Sequence, residues 1–204
     1  MALPKKPGIW FWTSPILRKY AMIQVGRPAP HFTAPAFDPE LPANAPFRPI
    51  SLSDYAGRWL VFFWYPSDFT HVCPTEITAL SDRLEEFLEL DCDVLGASTD
   101  SEECHRAWTL VPREANGIAG VRFPLLSDRT HRVAREYGVL VEEMGLTLRG
   151  LFIIDPEGMV QHATVNNLNV GRSVSETLRV LQAVRSGGLC PSDWKPGQKH
   201  LNLL

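Results

Sequence analysis

The stretch WLVFFWYPSDFTHVCPTE, Trp59 to Glu76, decides how this chain folds. Its first six residues form an unbroken apolar run bounded by Gly57 and Pro66. Such a run is the pattern of a strand buried on both faces of a sheet. From Thr75 to Leu90 the apolar residues Ile77, Leu80, Leu84, Phe87 and Leu88 recur at helical spacing, with acids and Arg83 between them. The segment therefore predicts strand, loop, helix, with Cys73 at or just before the first helical turn. Free backbone N–H groups and the positive end of the helix dipole favour an anion there. The thiolate is the reactive form of cysteine, so Cys73 is a candidate nucleophile. A buried, inert cysteine is the plainer alternative, because cysteine is among the most buried residue types. These residues alone leave both readings open.

Working outward, residues 28–49 hold seven prolines, which predicts a meandering lead-in with short edge strands at best. Asp93 to Ala97 reads as a second strand. Thr99 and Glu102 form a capping-box pattern opening a helix across His105 to Trp108. Phe123 to Leu126 and Asp128 to Tyr137 read as a short strand and a helix closed by Gly138. Gly150 to Ile154 is a third buried strand, Asp155 to Gly158 a tight turn, and Met159 to Val165 the returning strand. A last helix opens at Ser173 and Glu176 and carries Leu178, Leu181 and Val184 on one face. This β-α-β-α order, followed by a hairpin and a helix, predicts an α/β thioredoxin-like fold: a central mixed sheet flanked by helices. Three parts are expected: an aromatic N-terminal arm over residues 1–21, the core domain over 22–185, and a docking tail over 186–204.

With 204 residues the chain supports one full hydrophobic core. It is 45% hydrophobic and 21% charged, with a net charge of −3 and no Lys/Arg run, which argues against nucleic acid as a partner. No stretch approaches a membrane span. Gly8 to Leu17 is too short for an export signal and is interrupted by Pro15, so it reads as an ordered arm, and a reducing, cytoplasmic setting is expected. Trp10, Phe11 and Trp12 are expected to dock on a neighbouring subunit or on the outer face of the sheet. The four cysteines, at positions 73, 92, 104 and 190, show no zinc-ligand spacing. No metal or other cofactor is expected. Thioredoxin-type oxidoreductases carry C-x-x-C at the strand–helix junction, whereas Glu76 occupies the fourth position here. Cys73 must therefore do something other than local dithiol exchange, or use a distant partner.

The block Phe62 to Glu76 resembles the active-site segment of the peroxiredoxins, thiol peroxidases of thioredoxin fold. It contains their P-x-x-x-T-x-x-C motif as Pro66, Thr70 and Cys73. The C-P-T-E form resembles the typical two-cysteine class, which includes the bacterial alkyl hydroperoxide reductase peroxidase subunit. The blocks VGRPAPHF, SLSDYAGRWLV, STDSEECHRAW, RGLFIIDPEG, NLNVGRSVSETLR and GLCPSDWKPG extend the resemblance from Val25 to Gly197. It implies that Cys73 attacks a peroxide oxygen and becomes a sulfenic acid. Thr70 would offer its hydroxyl to the peroxide, and Pro66 would shield the pocket from water. Arg149 matches the family's active-site arginine, with Glu76 and Arg172 orienting it. Cys190 matches the resolving cysteine, which in the family comes from the other subunit of a dimer and closes an intersubunit disulfide. Local unfolding of the Cys73 turn and of the tail is then needed, because a disulfide requires Cα atoms within about 7 Å. The implied partners are the peroxide, a thioredoxin-like or flavoprotein disulfide reductase, and a second copy of the chain, in a homodimer that in the family can close into a decamer.

Cys92 and Cys104 read as packing residues. Three features depart from the family pattern. His71 stands where an aromatic or aliphatic residue is usual and reads as a surface or interface residue. Gly117 to Gly120 matches only loosely the G-G-L-G loop of easily over-oxidised forms, and no Tyr-Phe helix follows, so resistance to hyperoxidation is expected. The arm over residues 1–20 has no family counterpart. A ring-forming holdase chaperone, or a relay that senses peroxide, is the competing reading. Intact Thr70, Arg149 and Cys190 favour turnover over either.

Overall fold

β3 (Trp59–Trp64) forms from the apolar run and lies at the heart of a seven-stranded sheet ordered β2-β1-β5-β4-β3-β8-β9. The computed structural model describes residues 23–202. β4 (Cys92–Ser98) runs parallel to β3 on one side, and β8 (Arg149–Ile154) runs antiparallel to it on the other. Side chains alternate across a strand, so β3 supplies two cores. Val61 and Phe63 join Cys73, Ile77, Leu80 and Trp108 on one face. Leu60, Phe62 and Trp64 join Phe32, Ile50, Val133 and Tyr137 on the other. Both faces are covered, which explains why β3 is apolar at every position and not at every second one. The fold class is the expected one: a mixed sheet flanked by helices.

The remaining strands are β1 (Thr33–Phe37), β2 (Phe47–Ser51), β5 (Leu125–Ser127) and β9 (Val160–Asn166), with a separate small pair β6 (Leu140–Val141) and β7 (Leu146–Thr147). The helices are α1 (Cys73–Asp82), α2 (Leu84–Leu88), α3 (Glu102–Thr109), α4 (Arg132–Glu136) and α5 (Val174–Ser186). The strand expected at 93–97 is β4, one residue longer at each end. The 150–154 and 159–165 pair is β8 and β9, joined through the turn at Gly158 (φ 82°).

Local differences have local causes. The helix expected over 75–90 breaks at Arg83, whose backbone leaves helical geometry at φ −108°, ψ 18°. Its guanidinium pairs with Glu86 and bonds Ser175 of α5. α3 is capped by Ser101, which accepts from Cys104 N at 3.2 Å, and not by Thr99, whose hydroxyl donates to Gly145 O. α5 is capped by Ser173 as expected, but the Glu176 carboxylate binds Arg179 and leaves the capping box half closed. The helix expected over 128–137 shrinks to α4 because His131 adopts a left-handed φ of 57°. Asp128 stays outside it, accepting from Ala134 N at 2.7 Å. β5 starts after Pro124, which has no N–H for a ladder. Of the proline-rich strands only β2 is an edge, since β1 lies between β2 and β5.

The tail folds back on α5. Trp194 is 4% exposed, its carbonyl accepts from Arg179 Nη1 at 3.0 Å, and its indole donates to Gln198 O at 3.1 Å. The aromatic arm over residues 1–21 lies outside the described residues.

Candidate active site

Cys73 is the first residue of α1 and is fully buried. Pro74 follows it, with a ring that pre-sets the helical φ and a missing N–H where the first turn has no partner to offer. Val72 stands at the N-cap position and provides no side-chain cap. The Thr75 and Glu76 N–H groups of the first turn instead donate to Val72 O at 3.1 and 3.4 Å.

One helical turn on, Glu76 shares the face of Cys73 and is 5% exposed. Its carboxylate takes Arg149 Nη1 at 2.6 Å on one oxygen, and Arg172 N and Nε at 2.8 and 2.7 Å on the other. Arg149 opens β8, Nε donating to Leu168 O at 2.7 Å, and the same Nη1 lies 3.4 Å from Cys73 Sγ. Arg172 precedes α5, donates to the carbonyls of Trp64 and Gly150, and lies over the Phe63 ring at 5.4 Å. The three charged side chains are 4–7% exposed. Two guanidinium charges against one carboxylate leave one positive charge in excess beside the sulfur, where low dielectric strengthens it.

The other expected residues are placed less tightly. Pro66 is buried where β3 ends. Thr70 is partly exposed in the loop before Cys73, its hydroxyl donating to Ser67 O at 2.9 Å, which leaves its lone pairs free to accept. His71 is exposed. Cys190 is far along the chain in the tail, partly buried, and its Sγ contacts Ala183 O at 3.8 Å and Ser186 Oγ at 3.6 Å. All four cysteines are free thiols. Burial, foremost, pushes the Cys92 thiol up to about 12. Burial and then the Asp68 and Asp100 carboxylates do the same for Cys104, also to about 12. Neither sulfur is suited to nucleophilic work, in line with packing roles.

Sequence reasoning missed the network that holds the loop. Asp68 is buried, takes the Tyr65 hydroxyl at 2.9 Å and lies 2.8 Å from His105 Nδ1 of α3, whose Nε2 lies 3.2 Å from Leu126 O. Asp68 N donates to Asp100 Oδ2 at 2.8 Å. Burial, with Asp68 second, pushes the Tyr65 hydroxyl well above its usual range, so it remains a donor. Phe69, at a left-handed φ of 55°, packs on Trp108 with ring centroids 5.8 Å apart. The segment that read as a plain loop is thus tied to α3 and to Asp100 between β4 and α3. The available signal was a polar pair, Asp68 and His105, flanked by large aromatics.

A profile of the AhpC/TSA family matches residues 25–163. Peroxiredoxin-1 of Gallus gallus is 50% identical over 177 residues, covering 85% of this chain and 87% of its own. A thioredoxin peroxidase of Echinococcus granulosus is 49% identical over 179 residues, covering 86% and 90%. The crystal structure of the reduced Plasmodium vivax 2-Cys peroxiredoxin superposes with a TM-score of 0.81 at 38% identity, covering 86% of this chain and 91% of that one. Sequence, fold and the buried cysteine–arginine pair agree: the chain belongs to the AhpC/TSA family and is a peroxiredoxin, an enzyme of the thiol peroxidase class.

Proposed function

We propose that the chain reduces hydrogen peroxide and organic hydroperoxides through Cys73 and Cys190. The observation that carries this reading is the Arg149 guanidinium, 3.4 Å from Cys73 Sγ and held in place by Glu76 and Leu168 O. A thiolate at Cys73 balances the excess positive charge. It attacks the nearer peroxide oxygen, the S–O bond forms and the O–O bond breaks. The leaving oxygen departs as alkoxide or hydroxide and takes a proton to become alcohol or water. Arg149 meets the charge that grows on the oxygens, and the Thr70 hydroxyl orients the peroxide by accepting a hydrogen bond from its O–H. Glu76 and Arg172 keep the guanidinium in register; two donors shared on one carboxylate leave Arg149 little freedom.

The sulfenic acid then condenses with Cys190 of a second copy. The S–S bond forms, the S–O bond breaks, and water leaves. Cys73 is wholly buried, so its turn must unwind first. A thioredoxin-like or flavoprotein disulfide reductase returns both thiols by exchange; the relative named thioredoxin peroxidase supports the former. Peroxide consumption with a thioredoxin system tests the scheme. Cys73→Ser gives no turnover. Cys190→Ser gives one oxidation per chain and then stalls with thioredoxin. Sustained turnover by either variant rejects the two-cysteine cycle.

A further inference from the structure

Cys190 does not stand alone in the tail. Ser186, the last residue of α5, places its hydroxyl oxygen 3.6 Å from Cys190 Sγ, and His200 Nε2 lies 3.0 Å from that same oxygen. The imidazole is held flat against the Trp194 indole, centroids 5.5 Å apart and planes at 12°. Leu201 N donates to Leu189 O at 2.8 Å, which closes the tail into a loop and brings residue 200 back to residue 188. A Cβ on Gly188 would collide with the His200 ring, so this glycine leaves the space the imidazole fills. Ser186 Oγ also donates to Ala183 O at 2.7 Å and accepts from Gly188 N at 3.4 Å. The charged group near Cys190 from the packed elements is Arg179 of α5, which is paired with Glu176 and also lies near Asp193 of the tail.

We infer that Ser186 and His200 form a proton relay that takes the proton from the Cys190 thiol before it condenses with the sulfenic acid. The inference rests on the role proposed for Cys190 above. The Cys190 S–H proton passes to Ser186 Oγ, the hydroxyl turns from Ala183 O and gives its own proton to His200 Nε2, and the imidazolium releases it to solvent. The Cys190 thiolate attacks the sulfenic sulfur of Cys73 in the other copy: the S–S bond forms, the S–O bond breaks, and the departing hydroxide takes a proton to become water. Cys73 sulfur is reduced and Cys190 sulfur is oxidised, so no outside oxidant is needed. The relay is assembled only in the docked tail, so Cys190 loses its proton there before the tail yields. Ser186 touches the reacting sulfur; His200 acts through it as a positioning residue.

The test separates the two half-reactions in single-turnover, rapid-quench experiments on the full chain across pH 5 to 9. Ser186→Ala and His200→Ala are expected to form sulfenic acid at the parental rate but the interchain disulfide roughly a hundredfold more slowly, at the low end for general-base loss. The pH profile of disulfide formation is expected to lose the parental inflection. Added imidazole is expected to restore His200→Ala and not Ser186→Ala. Parental rate and profile in both variants overturn the relay. So does uniform slowing at every pH without imidazole rescue, the signature of a tail merely loosened. A Cys190→Ser control that still forms the disulfide at the parental rate shows instead that the role of Cys190 is wrong, and the relay falls with it.

Discussion

The two cysteines assigned to the cycle sit in opposite kinds of surroundings. Cys73 is fully buried, and the charged groups around it come from three separate elements, α1, β8 and the segment before α5. Each of those groups has at least two partners of its own. Cys190 is partly exposed, in a tail tied down chiefly by Trp194, Arg179 and a two-residue bridge. The first region is pre-organised, which suits bond-breaking that depends on aligned charge. The second has few long-range ties and so belongs to the low-stability end of the molecule, which suits a group that must travel. One sulfur is held still and the other is kept releasable. The loop before Cys73 belongs with the rigid side through Asp68, although the proposed cycle requires Cys73 to unwind from the helix's first turn.

The contrast can be broken or sharpened by experiment. Arg149→Gln removes the charge beside Sγ, and the rate of Cys73 oxidation by peroxide should fall about 10²–10³-fold in single-turnover assays. An unchanged rate would mean the rigid centre is only structural. Glu76→Gln strips the shared carboxylate from two buried guanidinium groups and should cost about 3 kcal/mol in denaturant unfolding. A loss under 1 kcal/mol would show the pair relaxing into solvent. Trp194→Ala should barely shift the global unfolding midpoint while raising hydrogen exchange over residues 189–201 roughly tenfold or more; equal acceleration in β3 would erase the distinction. Alkylation of the native protein at pH 8 should mark Cys190 and spare Cys92 and Cys104, whose thiols are held near 12.

The smallest effect concerns His162 of β9. Burial, opposed by Glu176 and aided by Arg179, lowers its pKa below the usual 6.5. The unfolded chain therefore takes up this proton more readily than the native one. The contribution of His162 to stability is full above about pH 6.5 and declines as pH falls below it. Urea midpoints from pH 7.5 to 5 should show that decline, and His162→Gln should flatten it.

Legibility followed range. β3 and α1 were readable because an apolar run and a helical period are written in adjacent residues, and Ser173 was readable as a cap because the N–H it accepts from lies three residues on. The break at Arg83 was not, because the partner that draws its guanidinium away from α1 includes Ser175 of α5. Nor was the interior position of β1, since prolines predict an edge until a neighbouring strand is known. In the site, Cys73 was a candidate on placement alone, whereas Arg149, Glu76 and Arg172 were picked out by resemblance to a family motif and not by any periodicity. Asp68 and His105 escaped both routes.

By itself the chain determined where the strands β3, β4, β8 and β9 and the helix α5 lie, and that a cysteine would stand where a strand hands over to a helix. Those outcomes depend on backbone geometry and on neighbours a few residues away. Only the tertiary structure decided that one carboxylate at position 76 would be shared by guanidinium groups from positions 149 and 172, and that the ring at 200 would reach the hydroxyl at 186. Hydrogen bonds form between groups that packing brings within 3 Å or so, and separation along the chain carries no record of that distance.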